Sequence, residues 1–340
     1  MKKILVIRLS SIGDIVLTTP VVRCIKQQVP GCELHFLTKA KFAEVLQHNP
    51  YIDKLHLLGD SLSETIATLR DEKYDFIVDL HKNIRSYLIR LSLHRPSASF
   101  NKLNFRKFLL TKLHIDIMPK THIVDRYFGA AKRLKVENDG LGLDFFFSEV
   151  EKNDKLPLPE AFRSNYIAIA IGAQHFTKIF PVEKVGELCR LLHPNKVVLI
   201  GGKTDIERGK QVVAMSQGNV INACGQLSLR QSALVLWHSD LVIANDTGMM
   251  HIAAALRKPI VSIWGGTVPQ FGMYPYMPKC MESLSHIVEN KQLKCRPCHK
   301  LGREKCPKGH FKCMNDINIK QLAELVNCAL TGYQNISSSK

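Results

Sequence analysis

The 340-residue sequence lacks any long hydrophobic run. No stretch approaches the roughly 18 consecutive apolar residues that a membrane-spanning helix needs. The amino terminus, Met1-Lys-Lys followed by an apolar run, superficially resembles a signal peptide. However, Arg8 and Asp14 interrupt that run, and no small-residue cleavage site follows. We therefore expect a first β-strand here and a cytoplasmic chain.

Several motifs that mark common functions are also missing. There is no Gly-x4-Gly-Lys-Ser/Thr phosphate loop and no Asp-x-Asp metal motif. Helix-turn-helix, RNA-recognition and basic-zipper signatures are absent as well. These absences argue against a P-loop nucleotide hydrolase, a metal-bridged diphosphate site and the common nucleic-acid-binding modules.

Acidic residues are scarce relative to basic ones, with 30 Asp and Glu against 47 Lys and Arg, for a formal charge of +17. Basic residues cluster at 102–112 and 291–312. Such an excess favours an acidic partner, and either an anionic membrane surface or a phosphorylated glycolipid explains it. Phe105 and Phe108 interleave the first cluster, which fits nucleic acid only weakly. An idle, solvated basic surface is the third interpretation.

The chain alternates strands and helices almost throughout, which is typical of parallel, doubly wound sheets. A polar, proline-containing stretch at 148–164 separates two halves. In the first half the pattern predicts strands at 3–9, 33–38, 54–58, 75–80 and 97–100, and helices at 15–28, 40–48, 62–72 and 122–135. In the second half it predicts strands at 166–171, 196–200, 219–223, 241–244 and 259–264, and helices at 182–192, 205–216, 229–237, 249–256 and 318–330.

We therefore predict two Rossmann-like α/β domains that face each other across a cleft. The first spans 1–155 and the second 160–317, with a carboxyl-terminal helix and tail at 318–340. This pattern fits either a GT-B arrangement or a periplasmic-binding arrangement, and the second class normally carries a signal peptide.

Each half contains a predicted strand that is followed by a loop of small residues and then by the start of a helix. The first is Arg8-Leu-Ser-Ser-Ile-Gly-Asp14, after Ile4–Ile7, and the second is Asn245-Asp-Thr-Gly-Met-Met-His251, after Leu241–Ala244. Ligands bind at such places in open α/β sheets because backbone N–H groups and the helix dipole converge there.

Asp14 has two interpretations. It is a favoured helix N-cap residue. It is also a modest general base, because a helix amino terminus keeps the carboxylate ionised and able to take a proton from an attacking hydroxyl. Ser11 and Gly13 are compact enough to let a substrate approach.

The second loop predicts an anion site. Thr247, Gly248 and Met249 should present N–H groups to a phosphate, with Asp246 fixing the loop and His251 either packed in the core or facing the ligand. The loop Gly172–Pro181 brings Lys178 within reach of a diphosphate, with Thr177 beside it. Asp205 and Glu207 are candidates to hold a ribose, or are helix-start charges.

Together these segments resemble glycosyltransferase family 9, whose best-known members are ADP-heptose:lipopolysaccharide heptosyltransferases. The motifs are Arg8–Asp14 followed by Pro20, Lys178-Ile-Phe-Pro181, and Asn245–His251. The resemblance covers both domains, and Phe180 stands where many members have Trp. It implies a GT-B fold and an inverting transfer without a catalytic metal.

The resemblance also assigns residues. It implies that Asp14 is the base, that the donor diphosphate contacts lie at Lys178, Thr247, Gly248 and His251, and that the ribose position is Asp205 or Glu207. Basic family positions near the acceptor sugar match Lys82, Arg85 and Arg126. The implied substrates are an ADP-sugar, most simply ADP-heptose, and a lipid A-core acceptor. These predict peripheral contact with the cytoplasmic face of the inner membrane and no nucleic-acid partner.

Four of the ten cysteines lie within nineteen positions, at Cys295, Cys298, Cys306 and Cys313. Reduced thiols at this spacing suit a structural zinc ion, although the second pair is wider than a usual knuckle. The alternative is a compact loop whose cysteines are simply buried. No cofactor is expected to be needed for catalysis.

Two other functions stay open at the level of sequence. A nucleotide-sugar 2-epimerase shares the two-domain fold and would convert donor without acceptor. A non-catalytic nucleic-acid-binding protein would be driven by the basic charge and would show salt-sensitive binding to random duplex.

Overall fold

The computed structural model describes residues 2–337, which divide into two compact α/β units. The first comprises Met1–Lys102 and Thr121–Val150, and the second Leu103–Lys120 and Glu151–Lys340. Residues 338–340 of the predicted tail lie outside the described residues. In the described range no helix is both long and apolar enough to cross a bilayer.

Both units are built from parallel strands joined by helices. The strands are β1 (Lys2–Ile7), β2 (Cys32–Lys39), β3 (Lys54–Leu58), β4 (Phe76–Asp79), β5 (Ser97–Ser99), β6 (Tyr166–Ala170), β7 (Lys196–Ile200), β8 (Val220–Asn222), β9 (Leu241–Asn245), β10 (Ile260–Trp264) and β11 (Ser285–Glu289). The helices are α1 (Ile12–Val16), α2 (Thr19–Gln28), α3 (Leu62–Asp71), α4 (Ile84–Leu93), α5 (Asn104–Phe108), α6 (Ile123–Ala131), α7 (Glu149–Asn153), α8 (Val182–Leu191), α9 (Ile206–Met215), α10 (Leu229–His238), α11 (Gly248–Ala255), α12 (Lys312–Asn315) and α13 (Ile319–Ser337).

The first sheet has the order β3-β2-β1-β4-β5, with every pair parallel. Its central strand, β1, carries four consecutive fully buried residues, Ile4–Ile7. A strand buried on both faces by crossover helices needs such an unbroken apolar run. The chain therefore leaves β1 and β4 side by side at the carboxyl edge of the sheet.

The second sheet has the order β11-β10-β9-β6-β7-β8 and is likewise parallel in every pair. Strands β6, β9 and β10 are buried along their whole length. The loops after these three adjacent strands consequently meet at one edge, as the sequence analysis predicted for ligand binding.

One segment falls on the other side of the predicted division at 155–160. Leu103–Lys120 belongs to the second unit, although the chain returns to the first unit at Thr121. The physical reason is a small apolar cluster in which Leu110 packs with Val268 and Phe271, and Met118 packs against it. Sequence order alone assigned this segment to the domain that precedes it.

Most predicted elements form within a residue or two of their expected bounds, but some differ. The predicted helix 15–28 is two helices, α1 and α2, because Pro20 lies in the first turn of α2 and restarts the helix. The predicted helix 40–48 is a 3-10 helix, Ala40–Val45. Helices α4 and α5 and the edge strand β11 have no counterpart among the predicted elements.

A buried polar network lies on the same face of the first sheet as α3. The Nδ1 atom of His35 lies 3.0 Å from Nε2 of His56 and 2.9 Å from the hydroxyl of Tyr74. Glu72 approaches both imidazoles, and ligand atoms of His35, His56 and Glu72 lie within 4.8 Å of one another. Lys3 donates to the Glu72 carboxylate at 2.8 Å and Lys54 at 2.5 Å. Two ammonium groups thus already balance its charge.

This network predicts a specific loss of stability in acid. Burial, and then His35, lower the pKa of His56 to about 4 from 6.5, so folded His56 stays neutral where the unfolded chain would be protonated. The free energy of unfolding is therefore unaffected by His56 above pH 6.5. It falls as pH drops towards 4, by roughly 3 kcal/mol at 1.36 kcal/mol per pKa unit. Urea unfolding between pH 4 and 7 should be less steeply pH-dependent in His56→Asn. Equal slopes in both proteins would contradict the assignment.

Candidate active site

Asp14 lies at the third residue of α1 rather than at its N-cap. Ser11 takes the cap position, and its backbone N–H and hydroxyl donate to Oδ2 of Asp14 at 3.3 and 3.0 Å. The other carboxylate oxygen, Oδ1, lies 2.7 Å from Nη2 of Arg8. Burial raises the pKa of this carboxyl, but the charge of Arg8 and the bonds from Ser11 outweigh it and hold the pKa below its usual value. Asp14 is therefore an ionised, partly exposed base.

Arg8 ties this base to the rest of the first unit. Its side chain is buried, and its guanidinium donates to the backbone carbonyls of Ser10 and Leu80 and to the hydroxyl of Tyr127. These acceptors lie after β1, after β4 and on α6. One guanidinium therefore fixes three separate chain segments around the carboxylate of Asp14.

His81 belongs to the same edge and is not among the site residues predicted from the sequence. It follows Leu80, whose N–H donates to Ile7 and whose carbonyl accepts from Arg8. Burial, and then the charge of Arg8, lower the pKa of His81 to about 4. Its Nδ1 atom is buried without a hydrogen-bond partner in the described structure. A neutral imidazole with an unused polar atom is thus available beside Asp14. The sequence signal that could have identified His81 is its position just after the strand that ends in Asp79.

The three predicted acceptor cations have different surroundings. Lys82 donates its ammonium to the carbonyl of Phe100 at 3.1 Å. Arg85 is exposed in the first turn of α4. Arg126 is half-buried on α6 beside Tyr127, and burial lowers the pKa of its guanidinium. The structure brings Tyr127 to Arg8, whereas it leaves Arg85 pointing to solvent.

In the second unit, Lys178 forms a compact polar cluster at the carboxyl ends of β9 and β10. Its Nζ atom lies 2.7 Å from Oδ2 of Asp246 and 3.2 Å from the Asp246 carbonyl. The hydroxyl of Thr267 donates to the same carboxylate oxygen at 2.7 Å. Lys178 and Asp246, which the sequence places 68 residues apart, therefore form one site.

Helix α11 begins directly beside this cluster, with Thr247 as its extended N-cap residue. The first-turn N–H groups, starting at Gly248, have no intrahelical acceptor and carry the positive end of the dipole. His251 is buried one turn further on. This edge therefore combines a lysine ammonium with a helix amino terminus, which is a suitable arrangement for a phosphate group.

Comparison with known proteins identifies the family of this chain. A family model described as "Glycosyltransferase family 9 (heptosyltransferase)" matches residues 63–302. The chain belongs to glycosyltransferase family 9. It is 28% identical over 293 residues to lipopolysaccharide heptosyltransferase 1 of Campylobacter coli, covering 78% of this chain and 84% of that one. It is 24% identical to lipopolysaccharide heptosyltransferase 2 of Escherichia coli K12, covering 96% and 98%.

Solved structures place the fold in the same family. The family 9 glycosyl transferase of Veillonella parvula has a TM-score of 0.77 at 23% identity, covering 97% of this chain and 98% of that one. ADP-heptose heptosyltransferase II of E. coli gives 0.76 at 22% identity, covering 98% and 100%. The iron-containing dodecameric glycosyltransferase TibC of E. coli H10407 gives 0.59 at 16% identity, covering 97% and 76%. The GT-B fold is thus confirmed, and the chain is a glycosyltransferase rather than an epimerase.

The two ribose candidates of this glycosyltransferase differ sharply. Asp205 is buried, accepts from the Gly202 N–H at 2.8 Å and pairs with Arg208. A Cβ added at Gly172 would lie only 2.3 Å from its Oδ2 atom, so this carboxylate packs directly on the loop after β6. Glu207 is exposed and pairs with Lys210. Asp205 therefore organises two loops, whereas Glu207 has a solvated carboxylate.

Thr177 has a structural task that the sequence did not reveal. Its N–H donates to the carbonyl of Arg303 at 3.1 Å, its hydroxyl accepts from the N–H of Arg303 at 2.8 Å, and its carbonyl accepts from Gly266 at 2.8 Å. The residue before Lys178 thus joins the loop after β10 to the cysteine-rich loop.

The cysteine-rich loop is anchored by a buried arginine. Arg296 donates to the carbonyls of Trp264, Gly265, Thr267 and Asn290 and pairs with Glu289 at 3.0 Å. The four predicted metal ligands, Cys295, Cys298, Cys306 and Cys313, line one small pocket together with Thr177, Gly266 and His310. Burial, and then the charge of a neighbouring Cys306 thiolate, raise the pKa of Cys298. Burial raises the pKa of Cys313 to about 12.

Proposed function

We propose that this enzyme transfers a heptose from ADP-heptose to a lipid-linked core saccharide of lipopolysaccharide, with inversion at the anomeric carbon. The observation that carries the proposal is that one family 9 chain has two separate sites. The first unit holds an ionised, oriented carboxylate, Asp14, and the second holds a cationic site at Lys178 beside a helix amino terminus. The names of the related proteins supply the sugar and the acceptor.

The base role of Asp14 follows from its surroundings. As the acceptor oxygen bonds to the anomeric carbon, its proton becomes acidic and passes to the carboxylate. The low pKa that Arg8 imposes keeps Asp14 ready to accept at neutral pH, and Ser11 holds its orientation. Gly13 leaves space beside the carboxylate, and the neutral imidazole of His81 is suited to hydrogen-bond the acceptor.

The departing ADP takes the bonding electron pair and the negative charge. Lys178 and the first-turn N–H groups of Gly248 and its neighbours would stabilise the diphosphate, which gives the second unit its role in donor binding. Asp246 holds Lys178 in place, and Thr247 and Thr177 position the two loops. His251 is buried within α11 itself, and Asp205 and Glu207 are the two candidates to bind the ribose.

We also propose that the four clustered thiols hold one structural metal ion. Burial, and then the neighbouring cysteines, raise the pKa of Cys298 and Cys313 in this pocket, and a bound cation would allow these thiols to ionise. Tetrahedral thiolate sites suit zinc, as the spacing predicts, or iron, the metal named for TibC. The ion would fix the loop against Thr177 and Gly266, and the transfer itself needs no metal.

Contact with the cytoplasmic membrane face follows from the acceptor. The exposed basic residues of 102–112 are interleaved with exposed Phe105 and Phe108, and apolar Leu113, Ile115 and Ile117 follow. A mixed basic and apolar surface of this kind binds anionic lipid surfaces. The loop 291–312 adds further exposed lysines in the second unit.

The base is tested by Asp14→Asn, which keeps the shape of the side chain but not its proton affinity. Turnover should fall by about two to four decades, the usual range for a lost general base. ADP binding should be unchanged, and stability should fall by about 1–3 kcal/mol, because Arg8 keeps a hydrogen-bond acceptor but loses its charge partner. Asp139→Asn breaks a comparably buried ion pair with Arg23 and serves as control. Normal turnover in Asp14→Asn would remove Asp14 from the mechanism.

The donor site is tested by Lys178→Ala, measured by calorimetric titration with ADP. The variant should bind ADP about 10- to 100-fold more weakly, because one charge-assisted contact is lost and Asp246 is left to repel the diphosphate. Lys184→Ala, which removes a lysine that donates to the carbonyl of Ile317, should bind ADP normally. Unchanged affinity in Lys178→Ala would place the diphosphate elsewhere.

The metal proposal is tested by elemental analysis of the full chain purified without added metal. About one equivalent of zinc or iron is expected, since four thiols complete a tetrahedral site. Cys295→Ser/Cys313→Ser should lose it and melt at lower temperature, whereas Cys280→Ser/Cys328→Ser, which removes two exposed thiols outside the cluster, should retain it. Metal-free wild-type protein of unchanged stability would refute the site.

A further inference from the structure

Helix α4 is apolar on two opposite sides. Ile89 and Leu93 pack into the core of the first unit. Ile84, Tyr87, Leu88 and Leu91 are nonetheless between 40% and 79% exposed. Their spacing of three, four and seven residues places them in one stripe along the solvent side of the helix.

Such a stripe is unusual on a solvated helix, where polar residues normally cover the outer face. Ten residues of helix span about 15 Å, which is too short to cross a bilayer. An amphipathic helix of this length lies along the plane of the membrane interface instead. Tyr87 has the amphipathic ring that is favoured at that depth.

The only charged residues in the chain segment that carries the stripe are positively charged. The 36 residues between Asp79 and Asp116 contain eight Lys and Arg and no Asp or Glu. Lys82 and Arg85 lie at the amino-terminal end of α4, and Arg95 follows its carboxyl-terminal end; all three are exposed. A second copy of the same face would bring like charges together, whereas an anionic lipid surface complements them.

We propose that the outer face of α4 docks on the anionic lipid leaflet that carries the acceptor, with Tyr87, Leu88 and Leu91 inserted among the lipid chains. This inference rests on the proposed function in taking the acceptor to be lipid-linked. It adds the surface that presents the first unit to it. Four residues separate the end of β4 from the start of α4, at the edge that carries His81, Arg8 and Asp14. Docking of α4 therefore brings this edge to the lipid surface from which the acceptor sugar projects.

The test uses the full-length double variant Tyr87→Gln/Leu91→Gln and sedimentation with vesicles of phosphatidylglycerol and phosphatidylcholine. Wild-type protein should bind them and should retain part of that binding at high salt, because salt screens charge but not apolar insertion. The variant should bind about tenfold more weakly at low salt and lose much but not all of the salt-resistant part, because the apolar side chains of 102–117 remain in place. Glutamine suits an exposed helix, so the melting temperature should be close to that of the wild type.

The matched control is Leu141→Gln/Val150→Gln, which removes two similarly exposed apolar side chains of the first unit outside α4. It should bind vesicles like the wild type. Three results would overturn the proposal: equal binding by wild type and the α4 variant, an equal loss in the control, or absence of vesicle binding by the wild type. Loss of a wild-type dimer in the α4 variant, with vesicle binding unchanged, would assign the face to a second copy instead.

A transfer assay separates this inference from the proposed function. The α4 variant should lose turnover with acceptor embedded in vesicles and keep it with the deacylated, soluble core oligosaccharide. If the wild type glycosylates neither acceptor, the proposed substrate is wrong, while the vesicle measurement still decides the role of α4. If the variant loses turnover with both acceptors alike, α4 acts on the reaction itself and the docking role is refuted.

Discussion

The contact between Arg8 and Asp14 is the interaction on which the chemistry of the first unit depends. Burial alone would raise the pKa of this carboxyl, and the charge of the guanidinium reverses that shift. Arg8 can do so only because backbone carbonyls of Ser10 and Leu80 and the hydroxyl of Tyr127 hold it in place. The parallel pairing of β1 with β4 supplies the Leu80 carbonyl at the right position. Sheet topology and base strength are thus linked through one side chain.

The second unit also contains a buried arginine bonded to backbone carbonyls, but there it stabilises a loop. Arg296 also lies buried among backbone carbonyls, four of them, and has a carboxylate partner in Glu289. No ionisable catalytic group touches it in the described structure. Instead it shapes the loop after β10, which bonds to Thr177 and lies next to Lys178. In both units a guanidinium with several fixed donors orders loops that have no regular hydrogen bonding of their own.

The sequence predicted the sheet architecture well because buried parallel strands have an unmistakable pattern. Runs such as Ile4–Ile7 and Leu241–Ala244 are apolar at every position, and the loop that follows each is marked by small residues and a helix start. The pattern also identified Lys178 and Asp246 as parts of one site, although the chain separates them by 68 residues, because both follow strands that turned out to be adjacent.

The remaining features depend on contacts that a one-dimensional pattern does not contain. Helix α4 escaped prediction because apolar residues on both its faces blur the helical period. His81 gained its significance only from the burial and the charge of Arg8 around it. The sequence predicts Asp205 as a ribose candidate, and only the fold shows that its oxygens also bond to the Gly202 N–H and to Arg208. Burial, partner identity and local charge decide such cases, and they follow from the folded chain alone.

The excursion of Leu103–Lys120 from the first unit to the second has a consequence for how this enzyme can be recombined with its relatives. The chain passes between the units at 102–103, 120–121 and 150–151, not once. A chimera joined at a single point near 155 would combine Leu110 and Met118 of one parent with Val268 and Phe271 of the other. Exchanging acceptor preference between family members by swapping whole domains would therefore mismatch a small core unless residues 103–120 travel with the carboxyl-terminal half.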